Sequence, residues 1–332
     1  MTTTPGGGFP AAAGRCMLAA TGRRRQEPPV SVFPPIPLAE WADTKETVHR
    51  FLQVVGKLRL ANAPRRNHWW HIPFHLTGRG LTTRPMGFDP VFAVDLDLVD
   101  HRLEVTVADG RRASFPLPGL SVAAFYRQLL DTLSALGLPA GVDLPVPFDL
   151  ADRTPFAEDE HHASYDPAMV TRYWVVLGQV AQVLEEFAGR SYAKTSPVHH
   201  FWHTFDLAVT RFSDRRVEQP DTVDPVTREA YSHEVISAGF WFGDAQVPEP
   251  AFYCYTAPEP AGLAEEPLRP AGARWIDSRG AHLALLPYED VRTADDPRGV
   301  VLDFLESAYA AGARRAGWDL GALRCPTAPE PR

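Results

Sequence analysis

Residues 196–212 read SPVHHFWHTFDLAVTRF, and the composition of this stretch decides the fold. Aromatic and β-branched residues dominate it, which is typical of a β-strand that contributes to a core. Three histidines and a tryptophan fall within its first ten residues. The stretch is therefore predicted to be strand, and it is also a candidate for a functional site.

Further strands are predicted along the chain from alternation and aromatic content. Apolar residues alternate with Asp95 and Asp97, and the alternation resumes after a tight turn at Asp100 and His101. The two segments predict an antiparallel hairpin with one face toward solvent. The predicted extended segments are residues 67–83, 91–99, 101–110, 199–212, 231–242, 251–257 and 282–288.

Four helices are predicted from apolar residues at helical spacing and from capping residues. The first covers residues 44–61 and begins with a capping box formed by Asp43 and Glu46. The other three begin after the N-cap residues Ser121, Asp166 and Asp296. In the last two, a proline occupies the first helical position, which is a common helix start.

The order of these elements predicts an α+β fold in which antiparallel sheets are flanked by helices. A Pro- and Gly-rich leader is predicted over residues 1–38 and a flexible tail over residues 321–332. Between them, residues 39–150 and residues 151–320 each run from helix through strands to helix. This similarity predicts two similar halves, a pseudo-repeat in which the segments 67–77 and 199–211 are related by an approximate two-fold axis. The alternative is two α+β units that share only the order of their elements.

Composition excludes several classes of protein. The chain of 332 residues is 45% apolar, enough for a substantial core, and its net charge of −8 disfavours nucleic acid as a partner. Its three cysteines, Cys16, Cys254 and Cys325, have no CxxC spacing, so a reducing cytoplasm is predicted. No apolar run reaches the length of a membrane span, and no phosphate-binding loop, dinucleotide fingerprint or serine-hydrolase elbow is present.

Two pairs of histidines are spaced four residues apart: His71 with His75, and His199 with His203. In a strand or a helix this spacing places both imidazoles on one face. If the halves form a pseudo-repeat, the pairs could meet, and four imidazoles would suit Fe, Zn, Cu or Ni. The alternative is that these are ordinary histidines among aromatic residues, because no H-E-x-x-H motif supports the pattern.

Other polar residues within apolar segments complete the predicted pocket. His233 or Glu234 is the candidate acid–base group, although adjacent residues of a regular strand point to opposite faces. Asp206 is a candidate catalytic carboxylate, since a carboxylate in a buried strand needs a partner. The predicted substrate-binding residues are Trp70, Trp202, Lys194 and Arg211. For each of them the alternative is core packing or structural ion pairing.

The segments NHWWHIPFHLTGRGLTT, DEHHASYDP, SPVHHFWHTFDLAVTRFSDR and REAYSHEVISAGFW together resemble an uncharacterised bacterial family, a domain of unknown function. The resemblance covers about residues 40–320 and implies no established activity or cofactor. This chain has His75 where the family carries Tyr, and His203 where it carries Gly. His75 and His203 are therefore either neutral substitutions or metal ligands that this member of the family has acquired. The residues that match the family are Asn67, His68, Trp69, Trp70, His71, His162, Tyr165, Asp166, Ser196, His199, Trp202, Asp206, Arg211, Ser213, Tyr231, His233 and Glu234.

The leading functional prediction is a metal-dependent enzyme that transforms a small polar molecule. Specialised metabolism is the predicted setting of this reaction. Its ligands would be the four paired histidines, holding a transition metal ion. The alternative is a metal-free protein that binds a small molecule, or an acid–base enzyme that uses the same pocket. Neither nucleic acid nor a membrane is a predicted partner.

Overall fold

The computed structural model describes residues 32–142, 144–244, 247–278 and 280–326. Most of the predicted leader, Cys16 and the last six residues of the predicted tail lie outside the described residues. The described part is an α+β protein with two antiparallel sheets, which confirms the predicted fold class. Within it, no helix combines the length and the apolar character needed to cross a membrane.

The smaller sheet has five strands in sequential order, each antiparallel to the next. The predicted hairpin forms its centre, with Asp97 paired to Arg102 at the turn. The hydroxyl-bearing and charged side chains of this hairpin face outward, while Val94 and Leu103 are fully buried. The strands are β1 His75–Leu76, β2 Gly80–Thr82, β3 Phe92–Asp97, β4 Arg102–Val107 and β5 Arg112–Pro116.

The larger sheet has seven strands in the order β11-β12-β10-β9-β8-β6, with β7 also paired to β8. The two sheets are linked where Phe74 and His200 exchange backbone hydrogen bonds of 2.9 Å. The strands are β6 Lys194–Thr195, β7 His199–Phe201, β8 Asp206–Arg216, β9 His233–Trp241, β10 Ala251–Ala257, β11 Arg274–Ser278 and β12 Ala281–Pro287.

Three of the four long helices begin at the predicted N-cap residues. The capping box predicted at Asp43 and Glu46 is wrong, because α1 begins at Ala42 after Trp41, which provides no side-chain cap. Ser121 accepts a hydrogen bond from the Ala124 backbone N–H, Asp166 accepts from Ala168 and Met169, and Asp296 accepts from Gly299. All four predicted helices are present. The helices are α1 Ala42–Asn62, α2 Val122–Ala135, α3 Pro167–Gly189, α4 Pro225–Ala230, α5 Tyr288–Arg292, α6 Pro297–Arg315 and α7 Leu320–Leu323.

Helices α3 and α6 pack together on one face of the larger sheet, and α1 packs against α2. One continuous apolar core joins these layers. Its centre is aromatic: Tyr173 of α3 stacks on Phe205 with ring centroids 5.3 Å apart and contacts Phe242. The part of this face around Tyr173 is therefore filled by aromatic packing.

The segment NHWWHIPF, residues 67–74, is not the extended strand that its aromatic content predicts. It forms a short 3-10 helix, Asn67–Trp69, followed by turns, and only His75 and Leu76 enter a strand. His68 and Trp69 have positive φ values of 54° and 59°, a conformation that no strand contains. Contacts with α4 and the larger sheet hold the segment, so its aromatic residues pack across elements.

The predicted pseudo-repeat is not confirmed. The first of the two compared segments is mostly turn, whereas residues 199–211 contain two paired strands. The sheets also differ, with five strands in sequential order in one and seven with crossovers in the other.

Candidate functional site

The predicted site residues divide between the two faces of strands β8 and β9. The inner face packs against α3 and α6 and carries Arg211, whose guanidinium lies over the Phe187 and Tyr309 rings. Glu234 is also on the inner face, where it accepts a hydrogen bond of 2.8 Å from the Trp318 indole. The opposite, outer face carries His233, because successive side chains of a strand alternate in direction.

The outer face brings three predicted residues together around one histidine, in what we call the Lys194 cluster: Lys194, His68, Trp70, Phe212 and His233. The Lys194 Nζ lies 2.6 Å from His68 Nε2. It also lies 5.4 Å from the Trp70 ring centroid and 5.1 Å from that of Phe212. The His233 ring is 5.7 Å from the His68 ring.

The tautomer of His68 follows from its two partners. Its Nδ1 lies 3.2 Å from the Glu229 carbonyl oxygen, which can only accept, so Nδ1 carries the proton. Nε2 is then free to accept a hydrogen bond from the Lys194 amine. Burial and the nearby Lys194 charge lower the pKa of His68, which keeps the ring neutral and able to accept.

Lys194 is an exposed lysine without a carboxylate partner among the described residues. Partial burial of its ammonium lowers its pKa, and no carboxylate forms an ion pair with it among the described residues. The whole chain contains only three lysines against many arginines. The other two, Lys45 and Lys57, are buried, whereas Lys194 is exposed.

A row of hydroxyl groups continues the outer face beside the Lys194 cluster. Thr210, Ser237 and Tyr255 are register partners on three adjacent strands, and the Thr210 and Ser237 hydroxyl oxygens lie 2.8 Å apart. The Tyr231 and Tyr255 hydroxyl oxygens lie 2.9 Å apart. Lys194 pairs with Phe212, two residues along β8 from Thr210, a step of about 7 Å. The hydroxyl row therefore borders the Lys194 cluster along the outer face.

Asp206 is buried and fully partnered on the same face. Its carboxylate accepts hydrogen bonds from the Thr204 and Tyr253 hydroxyls. Burial raises its pKa, and the two donors oppose that rise. Tyr253 reaches Asp206 by lying over Gly239, where an added Cβ would be 2.5 Å from the tyrosine oxygen. Asp206 therefore anchors the sheet and does not contact the Lys194 cluster.

Trp202 is part of the core. Its indole is 4% exposed, packs against Gly56 of α1 and donates a hydrogen bond of 3.1 Å to the Ile72 carbonyl.

The Glu234 carboxylate is also fully bonded within the protein. It accepts hydrogen bonds from Ser213 and Trp318 and forms an ion pair of 2.7 Å with Arg215. Trp202 and Glu234 are both held by protein groups alone.

The four predicted metal ligands do not converge. The His71 ring lies 5.2 Å from the Trp69 ring, and His203 lies in the turn after β7, 5.9 Å from the Phe148 ring. Only His75 and His199 approach one another, with ring centroids 6.3 Å apart. The chain bends between His71 and His75, and it turns after Phe201, before His203, so the four-residue spacing does not place both rings of a pair on one face of a regular element.

His75 and His199 are nevertheless unusual. Both are buried, and no described group bonds His75 Nε2 or His199 Nδ1. Burial lowers the pKa of each to about 3. His75 also lines a cavity of about 360 Å³ with Arg84 and Glu185. No group of three or more His, Cys, Asp or Glu side chains that could hold a metal occurs in the described part of the chain.

Sequence reasoning missed His68, Phe212 and the hydroxyl row. His68 stands in the NHWWH motif, beside the predicted Trp70, but its contact with Lys194 depends on a turn that aromatic content does not reveal. The scarcity of lysine was the signal that could have singled out Lys194. Tyr231 lies two residues before His233, on the same side of the segment that enters β9.

Comparison with known proteins identifies a family but no activity. No curated protein and no solved structure matches this chain. A family model matches residues 33–325, nearly all of the described part, and includes every residue of the Lys194 cluster. The chain therefore belongs to DUF5996, a family of unknown function.

Proposed function

We propose that this protein is an enzyme that transforms a small polar molecule by metal-independent proton transfer, with the Lys194 cluster as its active centre. The observation that carries the proposal is the 2.6 Å contact between Lys194 and neutral His68, without a competing carboxylate. General acid–base catalysis needs a group whose pKa has moved toward the working pH. Partial burial lowers the pKa of Lys194 in that direction.

Each member of the cluster has a role in this proposal. Lys194 gives or takes the proton at Nζ, and His68 orients the amine and accepts a hydrogen bond from it. Trp70 provides an aromatic wall that holds the amine and a flat part of the substrate. His233 borders the opposite side, where burial and the Lys194 charge lower its pKa and keep the ring neutral. The substrate would carry a carbonyl or an anionic group facing the amine.

Two other functions remain as alternatives. Metal dependence stays a prediction, and the buried pair His75 and His199 is the part of the predicted ligand set that the geometry keeps. A binding protein without catalysis would use the same outer face. In each case the proposed location is the cytoplasm, consistent with the few, scattered cysteines.

Replacing Lys194 by Met is expected to abolish turnover. The purified protein would be incubated with the small-molecule fraction of a bacterial extract, and substrates and products followed by mass spectrometry. The wild type should deplete one compound and form another. Lys194→Met should lose this conversion by at least about a hundredfold, the usual contribution of a positioned acid–base group. Arg298→Gln is the control: it removes a positive charge from a side chain that is 64% exposed, and this variant should retain the conversion.

The same assay separates the alternatives. Conversion that a chelator abolishes and a transition metal restores would support the metal prediction. Conversion by Lys194→Met at the wild-type rate would contradict the proposal. If the wild type converts nothing but retains a compound that Lys194→Met releases, the outer face is a binding site only.

A further inference from the structure

A second cavity lies on the inner face of the larger sheet, separated from the Lys194 cluster by β8 itself. Its volume is about 330 Å³, within the range of about 300–1,000 Å³ common for small-molecule sites. Arg211 forms part of its wall and is 1% exposed. The cavity therefore places a fully buried guanidinium beside open space.

Arg211 is incompletely satisfied by the protein. Its guanidinium carbon lies 3.6 Å from the Phe187 ring centroid and 4.2 Å from that of Tyr309, and one Nη donates to the Phe187 carbonyl. Its Nε has no hydrogen-bond partner, and no carboxylate lies within ion-pair distance of it in the described part of the chain. Burial lowers the pKa of Arg211, and the charge of Glu306 opposes that change at longer range. Because the buried guanidinium has no direct ion pair, an anion in the cavity would stabilise its charge further.

The rest of the wall is also cationic. Arg190, Arg269, Arg314 and Arg324 line the same cavity, with Glu306 as the single acid. Three of these arginines are paired to acids outside the cavity, namely Glu186, Asp303 and Glu266. Glu306 is 3.7 Å from Arg190; burial raises its pKa, and the charges of Arg211, Arg190 and Arg324 oppose that rise.

We propose that this cavity is a binding site for a small oxyanion, a phosphate or carboxylate group of a metabolite, with Arg211 as its buried anchor. Guanidinium groups match such oxyanions because their N–H donors form two parallel hydrogen bonds. The two flanking rings fix the plane of the Arg211 guanidinium before a ligand arrives. The anion would add negative charge beside a guanidinium that has no direct ion pair with a described carboxylate.

Calorimetric titration of the full chain with inorganic phosphate and, separately, with succinate tests the proposal and distinguishes the two oxyanions. The wild type should bind at least one of them with one-to-one stoichiometry at millimolar concentration or below. Arg211→Lys keeps the charge but loses the planar fork, and it should weaken binding about tenfold or more. Circular dichroism would show whether that variant is folded.

A matched pair of surface variants keeps the test decisive if Arg211→Lys does not fold. Arg314 and Arg315 both pair with Glu266, but only Arg314 lines the cavity. Arg314→Gln should weaken binding about threefold or more, while Arg315→Gln should bind as the wild type does. Absence of binding by both anions, or equal losses in the Arg314 and Arg315 variants, would overturn the proposal. Lys194→Met should leave this binding unchanged.

Discussion

Lowering the pH from about 7 to about 5 is expected to unfold this protein, because four buried histidines and one half-buried histidine, His203, are neutral in the folded state. Burial lowers the pKa of four of them to about 3 and that of the fifth to about 4, from an ordinary value of 6.5. The five are His49, His75, His199, His200 and His203.

The direction of the effect follows from proton binding. In this pH range the unfolded chain binds protons at these histidines and the folded chain does not. Stability is therefore complete above about pH 6.5 and is lost progressively as the pH falls toward the folded-state pKa values. One pH unit below 6.5, each histidine costs on the order of 1 kcal/mol, so the five together cost several kcal/mol, a large part of a domain's stability of about 5–15 kcal/mol.

Urea unfolding at a series of pH values measures this dependence. The free energy of unfolding should fall steeply below about pH 6.5, well above the range in which carboxylates titrate. In His199→Gln the slope should decrease by about 1.4 kcal/mol per pH unit, whatever the variant's stability at neutral pH. Equal free energies of unfolding at about pH 7.5 and pH 5 would contradict the neutral burial of these rings.

Gly56→Ala is expected to destabilise the protein by about 2–3 kcal/mol. A Cβ at Gly56 would lie 2.3 Å from the Cγ of Trp202. The indole cannot move aside, because it is buried and its N–H is bonded to the Ile72 carbonyl. In the middle of an ordinary helix, replacing Gly by Ala stabilises the protein by up to about 1 kcal/mol. A destabilising Gly56→Ala would therefore indicate the contact with Trp202.

Gly178→Ala is the matched control. Gly178 is also inside a long helix, α3, but a Cβ there meets nothing within 4 Å, so alanine should stabilise the protein slightly. In a Trp202→Leu background, Gly56→Ala should lose most of its cost, since the clash is removed. A stabilising Gly56→Ala in the wild-type background would show that Trp202 does not pack on α1.

The elements that the sequence predicted well are those specified by local signals. The hairpin of β3 and β4 follows from alternation and a tight turn, and α2, α3 and α6 follow from N-cap residues and helical spacing. Residues 67–74 were mispredicted because their aromatic content mimics a strand, whereas the backbone at His68 and Trp69 is left-handed. That conformation depends on contacts with α4, far away in sequence.

Part of the candidate site was also predictable, because some of its residues stand out in the local sequence. Lys194, Trp70 and His233 were singled out from local composition, and the opposite directions of His233 and Glu234 follow from strand geometry. The division of the remaining residues was not predictable. It depends on which face of β8 meets α3 and α6, and this sends Arg211 to a separate cavity and Trp202 into the core.

The pKa of Lys194 tests the central claim most directly. Competitive labelling with acetic anhydride over a range of pH, read by mass spectrometry on the peptide that contains Lys194, gives the titration of this single amine. We expect a pKa below the ordinary value for lysine, and a return toward that value in Trp70→Ala, where more water reaches the amine. A Lys194 pKa at or above the ordinary value, unchanged by Trp70→Ala, would contradict the proposed acid–base centre.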